Sequence, residues 1–235
     1  MGKGILHHVN ERASELSPPW SEDLSFNLDF LEIILELRIH RVVGILRGPK
    51  RGLRMWTDAS FSFDEHGIPR CQLCAVVKPQ EANSKPVGIV IYVPPEIIAS
   101  FNERKQQIHM GELLAPICAV LEWPELFKDA SAIAYIDNMG VLCNIVNGSS
   151  RACDAGTLVF ALHLQLARLN SAIWWEWVES ESNCSDGGSR VGICCPLAAQ
   201  LGIELVERPF PLLPDNFMRL DPKGWESFWN TNTTL

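Results

Sequence analysis

The chain has 235 residues, with 20 basic and 28 acidic side chains and a formal net charge of -8. Hydrophobic residues make up 47% and charged residues 20%, enough to bury a sizeable core, so a globally disordered chain is excluded. The acidic balance weakens long-range attraction to polyanions, so any nucleic-acid site must be local.

No apolar run reaches the length needed to span a bilayer, and Met1–His8 lacks the apolar core of a secretory signal. A membrane partner is therefore not expected, and the compartment is read as intracellular, cytoplasm or nucleus. The eight cysteines are read as reduced thiols on the same ground. Cys71-Gln72-Leu73-Cys74 has zinc-knuckle spacing. It falls in a strand-like run, however, where residues three apart point to opposite faces.

Residues 1–20 read as an irregular lead-in closed by Pro18-Pro19-Trp20. Ser21-Glu22-Asp23 then caps a helix over 23–43, with Leu24, Leu28, Leu31, Leu35 and Ile39 at helical spacing. Between Arg38 and Arg54 the chain turns basic, with Arg38, Arg41, Arg47, Lys50, Arg51 and Arg54 and no acid. Two readings stand here: a solvated helix end, or a phosphate-contact strip in which Arg51 and Arg54 bind nucleic acid.

Residues 53–61 are predicted as a first strand and Asp64-Glu65-His66-Gly67 as a hairpin turn. Strands follow over 68–78 and 87–93, the last stopped by Pro94-Pro95. Next come a helix over 103–122, a strand over 131–137, a short helix over 140–147, a helix over 154–169 and a strand over 172–178. A final short helix is expected near Asp186, capped by Ser185. This order implies an α/β domain with a mixed five-stranded sheet, three antiparallel strands and then parallel additions, flanked by helices. Residues 193–235, rich in proline and aromatic residues, read as a tail without much regular structure.

Asp58 lies in the first strand, where an acid is disfavoured by propensity and by burial. Glu112, Asp137 and Asp186 recur in similar half-apolar settings. If the first and fourth strands are neighbours, Asp58 and Asp137 sit side by side. Clustered carboxylates repel, and hard oxygen ligands in this number suit Mg²⁺ or Mn²⁺. Two such ions can activate water and stabilise a leaving oxygen, which points to phosphodiester hydrolysis.

Four stretches in this order carry a resemblance. They are Trp56-Thr57-Asp58-Ala59-Ser60, Gln107–Ala115 around Glu112, Tyr135-Ile136-Asp137-Asn138, and Trp177–Asn183 leading to Asp186-Gly187-Gly188-Ser189-Arg190. Over about 55–192 the chain resembles the ribonuclease H domain of retroelement (retrotransposon-type) reverse transcriptase polyproteins. The resemblance implies a ribonuclease H-like fold, with Asp58, Glu112, Asp137 and Asp186 as catalytic, metal-binding acids. It implies two Mg²⁺ ions, with Mn²⁺ as substitute, and endonuclease cleavage of the RNA strand of an RNA–DNA hybrid. Residues 1–54 then read as a remnant of the connection to a reverse transcriptase, and 1–54 and 193–235 as surfaces for it or another protein partner.

Asn138 is read either as a hybrid contact or as a strand end, and Arg151 and Arg190 either as phosphate contacts or as solvated charges. His109 reads as a partly buried or surface histidine. Trp174, Trp175 and Trp177 read as core and edge residues of the last strand. The chain departs from the family in carrying Pro116 inside a helix, where a kink is expected. Gly187-Gly188 is expected to loosen the start of the last helix, and the loop before Asp186 has no His. A second function is carried alongside the first: a non-catalytic ribonuclease H-fold scaffold or nucleic-acid-binding assembly component.

Overall fold

Strand β1 (Arg51–Phe63) turns Leu53, Met55 and Ala59 to one face of the sheet, and the alternation sends Arg54, Trp56 and Asp58 to the other. The computed structural model describes residues 51–81, 83–104 and 107–211, together with Ser25, Leu28 and Glu32. The Asp64–Gly67 turn forms as expected. Asp64 Oδ1 accepts from the amides of His66 and Ile68, both at 2.9 Å, and Gly67 takes a left-handed φ of 75°. The chain returns as β2 (Pro69–Pro79) and turns again into β3 (Val87–Val93), both pairings antiparallel. Beyond the expected stop, Pro95 starts a one-turn helix, α1 (Pro95–Ala99), where its missing N–H costs nothing.

The remaining elements are α2 (Ile108–Glu122), α3 (Pro124–Phe127), β4 (Ala130–Ile136), α4 (Met139–Asn147), α5 (Cys153–Arg168), β5 (Ala172–Trp177), α6 (Asp186–Val191), α7 (Pro196–Gln200) and β6 (Glu204–Arg208). The strand order across the sheet is β5-β4-β1-β2-β3-β6. Strands β4 and β5 add parallel to β1, as the element order implied. Among the described residues the sheet has six strands rather than five. The sixth, β6, lies in the stretch expected to be irregular, and pairs parallel with β3 from Val87↔Glu204 to Ile91↔Arg208.

That sixth strand shapes the site. β5 is one edge of the sheet and β6 the other, so the connection between them must cross a sheet face. The crossing lays α6 over β1 and β2 and brings Asp186 toward Asp58.

The main core lies between the sheet and helices α2 and α5, around Leu53, Met55, Leu73, Ile91, Leu114, Ile136 and Leu162. A smaller core on the other face joins Cys74, Val76 and Val90 to Cys195, Ala198 and Ile203. Cys71 belongs to the first and Cys74 to the second, so their CxxC spacing builds no common site. All eight cysteines are free thiols.

Two local expectations change. Pro116 lies inside α2, which still runs as one helix from Ile108 to Glu122 and is buried continuously over 110–120. Tertiary burial outweighs the one lost hydrogen bond. Gly187 and Gly188 do not loosen α6. A Cβ on Gly188 would stand 2.4 Å from Cys74 Sγ, and one on Gly187 would stand 2.5 Å from Cys195 Sγ, so the glycines let the helix press close. Trp174, on the face of β5 turned away from the main core, is 68% exposed, and Trp177, on the main-core face at the end of the strand, is also exposed. Trp175 alone of the three packs against the main core.

Most of the 23–43 helix, the basic strip before Arg51 and residues 212–235 lie outside the described residues. Among the described residues, no helix is long and apolar enough to cross a membrane.

Candidate metal centre

The parallel ladder between β1 and β4 ends at Trp56↔Tyr135, whose rings stack with centroids 5.3 Å apart. Continuing that register by two residues places Asp58 opposite Asp137, just past the end of β4. Asp186 enters from the first turn of α6. One carboxylate oxygen from each of Asp58, Asp137 and Asp186 lies within 4.8 Å of the other two. Glu112, on α2, stands outside that set, yet close enough for all three charges to act on its carboxyl.

Each acid is held differently. Asp58 is 3% exposed, and its Oδ2 accepts the Ser189 hydroxyl. Asp137 Oδ2 accepts from Ser180 Oγ at 2.6 Å, while Asp137 Oδ1 is buried with no partner among the described residues. Asp186 Oδ1 accepts from Arg190 Nη2 at 2.7 Å and Nε at 3.0 Å, one helical turn away. Glu112 is 4% exposed, and its buried Oε2 has no partner among the described residues.

These surroundings shift Asp58 and Glu112 strongly. Burial, with the Asp137 and Asp186 charges adding, pushes Asp58 up to about 7 against the pull of the Ser189 hydrogen bond and Arg190. Burial pushes Glu112 up to about 9, with Asp58, Asp137 and Asp186 all adding. Near neutral pH the cluster therefore holds protons that a divalent cation would replace. Two buried oxygens without partners, in an all-oxygen donor set, fit a hard divalent ion.

Last, α6 is stitched to the sheet. Asn183 Nδ2 donates to Thr57 O at 3.1 Å, Gln72 Nε2 to Gly188 O at 2.8 Å, and Ser60 Oγ to Ser189 O at 2.5 Å. Ser185 precedes the helix without capping it; its hydroxyl donates to Asn183 Oδ1 at 2.6 Å.

The other candidates fall around this centre. Asn138 caps α4, its Oδ1 accepting from the amides of Gly140 at 3.0 Å and Val141 at 3.2 Å. Arg190 is turned to Asp186, and Arg151 is exposed in the bend before α5. Arg54 is exposed on β1, four residues before Asp58 and about 13 Å along the strand. Arg51 opens the same strand. His109 is half-buried against Asn144 at 3.0 Å, and burial holds its imidazole below the usual value. Sequence patterns do not mark Ser180 or Ser189. The one signal is that Ser189 follows Asp186 by three residues, and so shares its helical face.

No family model matches the chain, and no curated protein matches it. Solved structures do. One is a crystal structure of LC9-RNase H1, a type 1 RNase H with the type 2 active-site motif, at 13% identity and TM-score 0.42, covering 73% of this chain and 92% of that one. Another is native prototype foamy virus protease-reverse transcriptase, at 14% identity and TM-score 0.40, covering 67% of this chain and 22% of that one. A CSH mutant of the same viral protein aligns at 13% identity and TM-score 0.40, covering 70% of this chain and 22% of its own. The strand order and pairing, three antiparallel strands with β4 and β5 added parallel to β1, are the arrangement the element order implied. The fold is ribonuclease H-like. Its sixth strand is added at the β3 edge.

Proposed function

We propose that this chain is a divalent-cation-dependent nuclease of ribonuclease H type, retroelement-derived, that hydrolyses the RNA strand of RNA–DNA hybrids. The observation that carries the proposal is the meeting of Asp58, Asp137 and Asp186 within 4.8 Å from three separate elements. Glu112 and its unpartnered buried oxygen complete the set. In this reading the four acids hold two Mg²⁺, or Mn²⁺ in their place. The ions would supply Lewis acidity and a bound water of lowered pKa at the scissile phosphodiester.

The protein's own residues do the rest. Asp58 and Asp137, fixed at the end of the parallel ladder, set where the phosphate must lie. Asp186 approaches from the opposite element, with Arg190 beside it as a cation that can turn to a phosphate oxygen. Arg54 and Arg51 on β1 and Arg151 before α5 are the local basic contacts that an acidic chain needs, and Asn138 stands next to Asp137 at the head of α4. The domain boundaries follow the same reading, with 55–192 as the nuclease unit, 1–54 as a remnant of the reverse transcriptase connection, and 193–235 as a partner-facing tail around the added strand. The compartment is intracellular.

The test is incubation with a labelled RNA–DNA hybrid and Mg²⁺, beside Asp137→Asn and an all-DNA duplex. Cleavage of the RNA strand alone, lost in the variant, is the expected result. No cleavage with Mg²⁺ or Mn²⁺ at excess protein overturns the proposal in favour of a non-catalytic scaffold.

A further inference from the structure

Two serines touch the acidic cluster, and both reach across the fold to do so. Ser189, fully buried on α6, is the only described side chain bonded to Asp58; it also lies 2.8 Å from the Asp186 carbonyl. A hydroxyl has one hydrogen, and the carboxylate is the stronger acceptor, so that hydrogen goes to Asp58. Ser180, exposed on the turn after β5, donates to Asp137 Oδ2 at 2.6 Å. Asp58 and Asp137 thus each have one oxygen pinned by a serine. For Asp137 the consequence is visible, since its second oxygen is buried and has no partner among the described residues.

We propose that Ser189 and Ser180 are positioning residues, each fixing one oxygen of Asp58 or Asp137 so that the other oxygen faces a shared divalent cation. The proposal rests on the cation-site reading above. The serines bond to their acids through side-chain oxygens only, and neither is a ligand itself. Ser189 has a second effect, because its carbonyl is bonded to Ser60 and its neighbour Gly188 to Gln72. Asp58 and the helix that carries Asp186 are therefore held in one rigid arrangement.

The experiment measures Mn²⁺ binding to the whole chain by calorimetric titration at pH 8.5, with no nucleic acid present. Outer-sphere partners of metal-binding side chains set affinity by factors of about 10 to 100. Ser189→Ala and Ser180→Ala are expected to weaken Mn²⁺ binding by about tenfold or more. Ser180→Thr keeps the hydroxyl on an exposed turn and retains wild-type affinity. Ser171→Ala removes a buried hydroxyl just before β5 that bonds none of the acids, and leaves affinity unchanged. Should Ser189→Ala fail to fold, the exposed Ser180 pair decides alone. Wild-type affinity in Ser180→Ala overturns the positioning role and leaves the cation site standing. No Mn²⁺ binding by the wild type overturns the cation site itself, and the positioning role with it.

Discussion

Two regions of this molecule bury a carboxylate, with opposite results. At the head of α5, Asp154 is 5% exposed and is met by Arg104 and by the amides of Asn102 and Ala155. Burial would raise its carboxyl, but those bonds outweigh it and hold it below the usual range. At the sheet centre, Asp58 and Glu112 are buried as deeply, but their neighbours are other acids, and both carboxyls rise. Burial alone therefore does not mark a functional acid. In the proposed reading the mark is an acid buried mainly among other acids, and Asp154 is the internal control for the centre.

The sharpest way to break this contrast is to neutralise one acid in each region. Asp58→Asn is expected to cut hybrid cleavage about a thousandfold, several kcal/mol of lost stabilisation, as read by initial rates. It should also stabilise the cation-free protein at alkaline pH, since one buried charge is gone. Asp154→Asn should instead leave Mn²⁺ affinity unchanged and lower stability.

Next in size is Arg104→Ala. It strands a buried carboxylate and is expected to cost about 3 kcal/mol in denaturant unfolding at pH 7. Because Asp154 is held low, that contribution belongs to neutral pH and fades as pH falls and the carboxyl protonates.

The centre should respond to pH in the opposite sense. Asp58 titrates at about 7 in the fold against 3.8 unfolded, and Glu112 at about 9 against 4.5. The folded state binds more protons over that window, so cation-free stability falls as pH rises through it. In EDTA the melting temperature should drop by about 10 °C between pH 5 and pH 8.5. Millimolar Mg²⁺ should recover much of the drop. An equal drop in both buffers would argue against a cation at these acids. The smallest effect is expected from Arg190→Ala, an exposed pair worth under about 0.5 kcal/mol. It frees Asp186 Oδ1, so Mn²⁺ affinity should hold or rise slightly.

Much of the fold and of the acidic centre is legible in the amino-acid sequence. Apolar runs bounded by turn residues mark β3 at Val87–Val93 and place the other strands of the centre within about two residues. Asp58 and Asp137 stand out because an acid in or beside an apolar strand needs a reason. β6 is not legible. Glu204–Arg208 has only two apolar residues, and becomes a strand by pairing with β3. The bonds from Ser189 and Ser180 to their acids span 131 and 43 residues, and no local pattern announces them. Gly187-Gly188 misleads for a related reason. Helix propensity counts a glycine's freedom as a cost, while here its small size lets a helix meet Cys74 and Cys195.

The parallel pairing of β6 with β3 carries one more consequence. A chain shortened to end at residue 193 would keep all four acids but strip the cover from β3. The backbone donors and acceptors between Val87 and Ile91 would then lie open as a template for a strand from another molecule. Such a shortened protein is expected to self-associate and precipitate.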